Sequence, residues 1–289
     1  MSDDYNAPDF TLERIFEKLV NLPTFPKVIQ KALALLKDPN SSIAKLAELL
    51  RYDPAITANI LRFTNSAHFG LAQRITDLET ALTFLGQQHI TEILLASASL
   101  PYLNTPIAGY RMEPRDLWRH SIATAIAAET LAKFCSYPDP PTAFTGALLH
   151  DIGKIALNIF VGGRLEDIFQ MARQEKMIFT EAEWRVLGGD HAVIGAEILQ
   201  LWEFPSDIVR AVRNHHDPDL YIQDTLSSLM ALANILVIQM GIGLGADAFR
   251  YNINFELLDR LHLTRADLHR CIVLILMDFN RSQDMLNLD

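Results

Sequence analysis

The chain has 289 residues, 49% of them hydrophobic and 21% charged, which supports a substantial core and excludes wholesale disorder. Lysine and arginine number 25 against 35 aspartates and glutamates, a formal net charge of -10, so the broad positive field that carries non-specific nucleic-acid binding is missing. Only Cys135 and Cys271 are present, which excludes a disulfide framework and a thiolate zinc motif and makes a reducing cytoplasm the expected setting.

Residues 1–10 are acidic and polar, unlike a secretory signal. Val28, Ile29, Ala32, Leu33 and Leu36 share one helical face. Ser41 and Ser42 can cap the next helix, whose stripe is Ile43, Leu46, Ala47 and Leu50. Asp53-Pro54 places a capping carboxylate before a first-turn proline and opens a helix towards Phe63. Residues 42–66 loosely resemble a helix-turn-helix. Asp53 in the turn and the lack of a basic cluster point instead to ordinary packing. Thr76 and Glu79 have capping-box spacing, and Gly86 is expected to stop that helix about two turns later. The uncharged stretches 93–110 and 226–246 contain breakers and polar residues, so they read as buried helices rather than membrane spans.

The softest boundary is the proline-broken stretch between Leu100 and Pro114, which suggests two helical lobes, residues 1–110 and 111–289. Beyond it the helices lengthen. Trp118 to Phe134 is rich in alanine and leucine, residues 136–141 form a polar connection, and Thr142 to Leu149 leads into His150-Asp151. Asp190 can cap a helix running to Trp202, and Pro205-Ser206 open one that reaches His215. Gly241, Gly243 and Gly245 follow a helix, where a dinucleotide site needs a preceding strand, so they read as a helix terminus. Thr264 and Asp267 begin a final helix with Leu268, Ile272, Leu276 and Phe279 on its apolar side. Sustained period-two alternation is hard to find anywhere, and the expected fold class is all-α.

The chain has nine histidines. His68, His89, His262 and His269 lack obvious partners and read as structural or surface residues. His120, His150, His191, His215 and His216, with Asp151, are spaced so that each interval lets one helix run out and another return. Four helices can bring them to one interior point, as helical bundles build metal sites. Their donors suit a divalent transition metal: iron, manganese, zinc or nickel. Asp151 can bridge two cations, and Lys154 adds an ammonium suited to phosphate. Asp116 lies on the same helical face as His120. It is a ligand, a partner of the imidazole, or a solvated residue near the helix start, the last being favoured.

At these residues the chain resembles the HD metal-dependent phosphohydrolases, and among them most closely the HDOD family, the HD-related output domains of bacterial signalling proteins. The resemblance rests on Leu22-Pro23-Thr24-Phe25-Pro26, Asp53-Pro54-Ala55, Asn65-Ser66-Ala67, Ala81 and Leu85-Gly86. It continues through His150-Asp151-Ile152-Gly153-Lys154, Asp190-His191, Gly195-Ala196, Trp202-Glu203-Phe204-Pro205, His215-His216 and Ala233-Asn234. It implies an amino-terminal helical lobe packed on an HD-like helical bundle. It also implies metal-holding roles for His120, His150, Asp151, His191, His215 and His216. Two departures stand out: Asn234 where a catalytic HD domain has its closing aspartate, and Asp217-Pro218-Asp219 where the cyclic-dinucleotide phosphodiesterases carry Gly-Tyr-Pro. An amide is a weaker ligand than a carboxylate, which weakens a two-metal hydrolytic centre.

The expected function is therefore a cytoplasmic bacterial signal-transduction module of the response-regulator kind. It acts through a signalling protein partner and carries a degenerate metal site, with enzymatic activity not expected. The alternative is an active metal-dependent phosphohydrolase acting on a nucleotide or cyclic dinucleotide. A DNA-binding regulator ranks third, against the acidity of the chain, and no membrane contact is expected.

Overall fold

Capping side chains set most of the element boundaries. The computed structural model describes residues 11–19, 25–66, 69–71, 73–104, 106–245 and 255–286. His68, Ala67, residues 1–10, the Leu22-Pro23-Thr24 part of the first motif and the last residue of the 226–246 stretch lie outside them. Helices α1 (Leu12–Leu19) and α2 (Lys27–Lys37) precede α3 (Ile43–Leu50), where the Ser42 hydroxyl accepts from the Lys45 N–H at 3.3 Å. At α4 (Pro54–Thr64) the Asp53 carboxylate accepts from the Ile56 N–H at 3.0 Å. Asn65 then pins the following loop: its amide donates to the Leu61 and Ile75 carbonyls at 2.8 and 2.7 Å and accepts from the Ile75 N–H at 2.8 Å.

Helix α5 (Leu78–Leu103) corrects two expectations and bears out a third. Its cap is Asp77, which accepts from the Thr80 N–H at 2.8 Å, and not Thr76. Gly86, at φ 72° and ψ 169°, leaves the helical conformation and ends the first of two helical segments that meet there at a kink, as expected. The helix also continues through Pro101, so the break in the 93–110 stretch begins at Asn104. Both segments pack inward: Leu82, Leu85, Ile90 and Leu94 are buried on the two sides of the kink, and α5 packs against α2, α3 and α4.

A 3₁₀ turn at Ala108–Tyr110 leads to α6 (Asp116–Phe134) and α7 (Pro140–Leu149). The second of these starts two residues earlier than expected. Asp139 caps it by accepting from the Thr142 N–H at 3.2 Å, and prolines fit a first turn that needs no amide donors. Then come α8 (Gly153–Phe160), α9 (Leu165–Glu175), α10 (Phe179–Leu187), α11 (His191–Leu201), α12 (Ser206–Asn214), α13 (Pro218–Tyr221), α14 (Thr225–Gln239), α15 (Phe255–Arg260) and α16 (Arg265–Leu286). Among the described residues there is no strand, only an isolated bridge between Ile107 and Met112. Nor is any single helix there long and apolar enough to cross a membrane.

The result is all-α, two packed helical lobes. Helix α6 lies at the centre of the second, against α7, α14 and α16, and α5 packs on α6 and α7 from the first. The lobes are joined by aromatic contacts: the Phe25 ring lies 5.6 Å from Trp202 and 5.3 Å from Phe204, and Gln30 donates to the Trp202 carbonyl at 3.1 Å. The buried face of α16 is Leu268, Cys271, Ile275 and Phe279, whereas Leu276 is 39% exposed. The small, fully buried Cys271 sets the face presented inward and turns Leu276 away from it.

Candidate metal centre

Glycine permits the closest approach in the site. A Cβ on Gly153 would lie 2.0 Å from the His191 carbonyl oxygen and 2.7 Å from the Gly195 nitrogen. Without side chains at Gly153 and Gly195, the start of α8 lies directly on α11. That contact brings His191, the first residue of α11, beside Asp151 in the α7–α8 turn. The Asp190 cap, accepting from the Val193 N–H at 2.9 Å, fixes the start of α11. Helix α6 supplies His120, the end of α7 supplies His150, the end of α12 supplies His215 and His216, and α14 supplies Asn234.

All of the expected ligands converge on the fully buried Asp151. Its Oδ1 lies 3.2 Å from His191 Nε2 and 4.0 Å from His215 Nε2. Its Oδ2 lies 3.4 Å from His150 Nε2 and 3.6 Å from His120 Nε2, and accepts from Lys154 Nζ at 2.6 Å. Two donor groups therefore share one carboxylate: Asp151 with His191, His215 and His216, and Asp151 with His120 and His150. Within each, the donor atoms lie within 4.8 Å of one another. Asn234 Oδ1 stands 3.0 Å from His120 Nε2, at the edge of the second group.

The other candidates lie elsewhere. Asp116 accepts from the Glu113 N–H at 2.8 Å and serves the start of α6. His89 is half-buried, with Nδ1 3.2 Å from the Leu85 carbonyl, and His262 and His269 are exposed. The three glycines after α14 do form a helix terminus, Gly241 and Gly243 taking φ of 76° and 60°.

Backbone carbonyls select the tautomers. His150 Nδ1 lies 2.7 Å from the Ala147 carbonyl and His215 Nδ1 2.6 Å from the Val212 carbonyl. A carbonyl only accepts, so the proton sits on Nδ1 and the Nε2 lone pair turns towards Asp151. Neither Nε2 has a hydrogen-bond partner, and neither does Asp151 Oδ1. Buried polar atoms left in this way cost about 1–3 kcal/mol each. A cation among them satisfies several together, so the donor set fits a metal on its own geometry.

Burial and close neighbours set the protonation states. Burial pushes the His150 imidazole down to about 4, against the pull of Asp151. Burial and the neighbouring imidazoles hold His215 and His216 well below the ordinary histidine range. Burial works to raise the Asp151 carboxyl, but His150, Lys154 and His191 together hold it well below the usual carboxylate range. His191 goes the other way: burial alone would depress it, but the Glu183 carboxylate, with Asp151, lifts it to about 10.

Glu183 is the functional residue that sequence reasoning missed. Fully buried on α10, it accepts from the His191 N–H at 3.1 Å and from His191 Nδ1 at 2.8 Å, and also from the Tyr110 hydroxyl. It thereby orients the His191 ring, in the place a carboxylate takes behind a metal-binding imidazole. Its signal was present: it lies one helical turn after Phe179, on the apolar face of α10.

The segment after α14 roofs the centre. The Ile242 carbonyl lies 3.3 Å from His120 Nδ1, and a Cβ on Gly243 would stand 2.3 Å from the Asp116 carbonyl oxygen. The cavity bounded by His120, Lys154, Asn234 and Gly243 holds about 10 Å³. That is room for one water molecule at most.

The chain matches the HDOD domain family over residues 22–218. An HDOD domain protein of unknown function from Geobacter sulfurreducens shares the fold at a TM-score of 0.71 and 23% identity, covering 94% of this chain and 95% of its own. A Marinobacter aquaeolei VT8 protein whose description assigns it to signal transduction gives a TM-score of 0.73 at 20% identity, over 98% of this chain and 61% of its own. A curated relative from Treponema pallidum (strain Nichols), itself uncharacterized, is 22% identical over 228 residues, 77% of this chain. The chain matches only 43% of that relative's length.

Proposed function

The chain belongs to the HDOD domain family, and on that premise we propose a signal-transduction module that acts by contact with a partner protein and holds a metal without hydrolysing a phosphoester. The observation that carries this reading is the small space beside the centre. The cavity bounded by His120, Lys154, Asn234 and Gly243 holds about 10 Å³, too little for a phosphate group in this conformation. The amide of Asn234 on the inner wall supports it.

Asp151, His191, His215 and His216 would hold the cation on one side, and His120 and His150 face the other side of Asp151. Bound there, a divalent iron, manganese, zinc or nickel ion supplies Lewis acidity and a strong link between helices that are far apart in sequence. The protein's part is orientation. Glu183 holds the Nδ1 proton of His191, and the Ala147 and Val212 carbonyls hold those of His150 and His215. Lys154 neutralises Asp151 Oδ2. Helices α6, α7, α8, α11 and α12 thus meet at one polar point, which couples metal occupancy to the packing of the lobe. In this reading the lobes divide near residue 110, and the partner is a cytoplasmic signalling protein.

A phosphohydrolase acting on a nucleotide or cyclic dinucleotide is the second reading, favoured by the buried Lys154 ammonium beside the centre. Protein loaded in turn with manganese, iron, zinc and nickel, then incubated with nucleotides and cyclic dinucleotides, should release no more product than a protein-free control. A Lys154→Ala chain should restore the phenotype of a strain lacking the gene. Metal-dependent hydrolysis that disappears in Lys154→Ala would overturn the proposal in favour of the enzyme.

A further inference from the structure

The two sides of Asp151 are not equivalent. We propose that the centre takes a single cation, on the Oδ1 side with His191, His215 and His216, and that Lys154 and Asn234 close the Oδ2 side to a second. The inference rests on the reading of this cluster as a metal centre and adds its stoichiometry and its side.

On the Oδ1 side four donors are available, a complete set for a tetrahedral transition-metal ion. Two of their atoms, Asp151 Oδ1 and His215 Nε2, have no hydrogen-bond partner. His191 is held by Glu183 through Nδ1, which leaves its Nε2 facing Asp151 and His216, at 3.2 and 3.0 Å. Asp151 Oδ1 and His215 Nε2 are open to a cation, with the Nε2 atoms of His191 and His216 close to the same point.

On the Oδ2 side the electron pairs are already engaged. Oδ2 accepts from the Lys154 ammonium at 2.6 Å, and Lys154 is only 3% exposed, so its charge cannot be withdrawn into solvent. His120 is held at both ring nitrogens: Nδ1 faces the Ile242 carbonyl at 3.3 Å and Nε2 faces Asn234 Oδ1 at 3.0 Å. Nε2 is therefore already engaged by the amide, and a second cation would have to displace that contact. An ionised aspartate at this position would instead be a charged ligand for a cation. His150 Nε2 is the remaining open donor in this group, beside an ammonium of the same sign as any incoming ion.

The test is metal content. Protein stripped with a chelator, reloaded with excess Mn²⁺ or Zn²⁺ and desalted, should hold one equivalent per chain by elemental analysis. Bound Mn²⁺ should give the resolved six-line spectrum of an isolated ion. His120→Gln should keep that equivalent, whereas His215→Gln should lose it. The double variant Lys154→Met/Asn234→Asp should double the content and broaden the manganese spectrum through coupling of two ions. Circular dichroism of each variant checks that it is folded, and the wild-type count stands without any variant. Two equivalents in the wild type, or loss of the single ion in a folded His120→Gln, would overturn the one-sided centre while leaving the metal reading intact. No bound metal in the wild type would overturn both.

Discussion

Helices α2 and α3 differ from α6, α7 and α14 in how they are covered, and the difference locates the chemistry. Each of the first pair buries a stripe: Ile29 and Ala32 in α2, and Leu46, Ala47 and Leu50 in α3. Most of their polar residues face water, Gln30 being half-buried against Trp202. In α6 burial is nearly continuous from Leu117 to Ala132, and α14 is buried from Leu226 to Val237. A helix enclosed all round has no wet face, so each polar side chain on it must find an interior partner. That is the case for His120 and Asn234, and for His150 and Asp151 at the end of α7. Dense all-round packing is both the support of the centre and the reason its residues must converge.

The contrast is broken most severely at the contact between α8 and α11. Gly153→Val should cost more than about 4 kcal/mol in urea unfolding or prevent folding, since even a Cβ there would lie 2.0 Å from the His191 carbonyl oxygen. Gly188→Ala, where a Cβ meets nothing within 4 Å, should cost only about 1 kcal/mol, through its positive φ. Equal losses at the two sites would show that close approach is not what shapes the centre.

Acid and alkali should act strongly on the buried imidazoles of the second region. His150 at about 4, with His215 and His216 also depressed, makes the folded metal-free chain refuse protons that the unfolded chain takes up below about 6.5. Stability should therefore fall as pH drops from about 6.5 towards 4, at about 1.4 kcal/mol per pH unit for each of these groups. His191 has the opposite sign. Raised to about 10, it contributes stability in full below about 6.5, and this is lost as pH rises towards 10. Melting temperatures of chelator-treated protein should peak near neutrality, with the acid limb the steeper. A flat profile between pH 5 and 9 would contradict the buried imidazole cluster.

Glu183→Gln sharpens the comparison at a single residue. The amide keeps the shape but removes the charge that holds His191 protonated, so about 2–3 kcal/mol should be lost at neutral pH and the alkaline limb should flatten. Loss of stability with an unchanged alkaline limb would mean that Glu183 acts only by packing. The smallest effect belongs to the striped region: Ser42→Ala, which removes the cap of α3, should cost about 1 kcal/mol and leave metal content unchanged.

Local chemistry was legible in the sequence. Caps such as Ser42, Asp53 and Asp190 act within three residues of themselves, so their effect does not depend on what packs nearby. The convergence of the candidate ligands was legible for another reason. Imidazoles and a carboxylate placed on helices with little room for water announce a polar interior before its geometry is known, and His120, His150, Asp151, His191, His215 and His216 do meet.

What the tertiary structure alone decided depends on surfaces distant in sequence. Burial of Leu82 and Leu85 on one side of Gly86 and of Ile90 and Leu94 on the other sets how the two segments of α5 lie against the core. Contact with α6 selects Cys271 over Leu276 as the inward residue of α16. Glu183 is a binding-site residue only because α10 lies beside His191, and a lone glutamate in a helix carries no record of that neighbour. The division of labour between the two oxygens of Asp151 is of the same kind. Residue types name the ligands, whereas which oxygen meets an ammonium and which meets open imidazole lone pairs is set by where Lys154 and His215 come to rest in the folded chain.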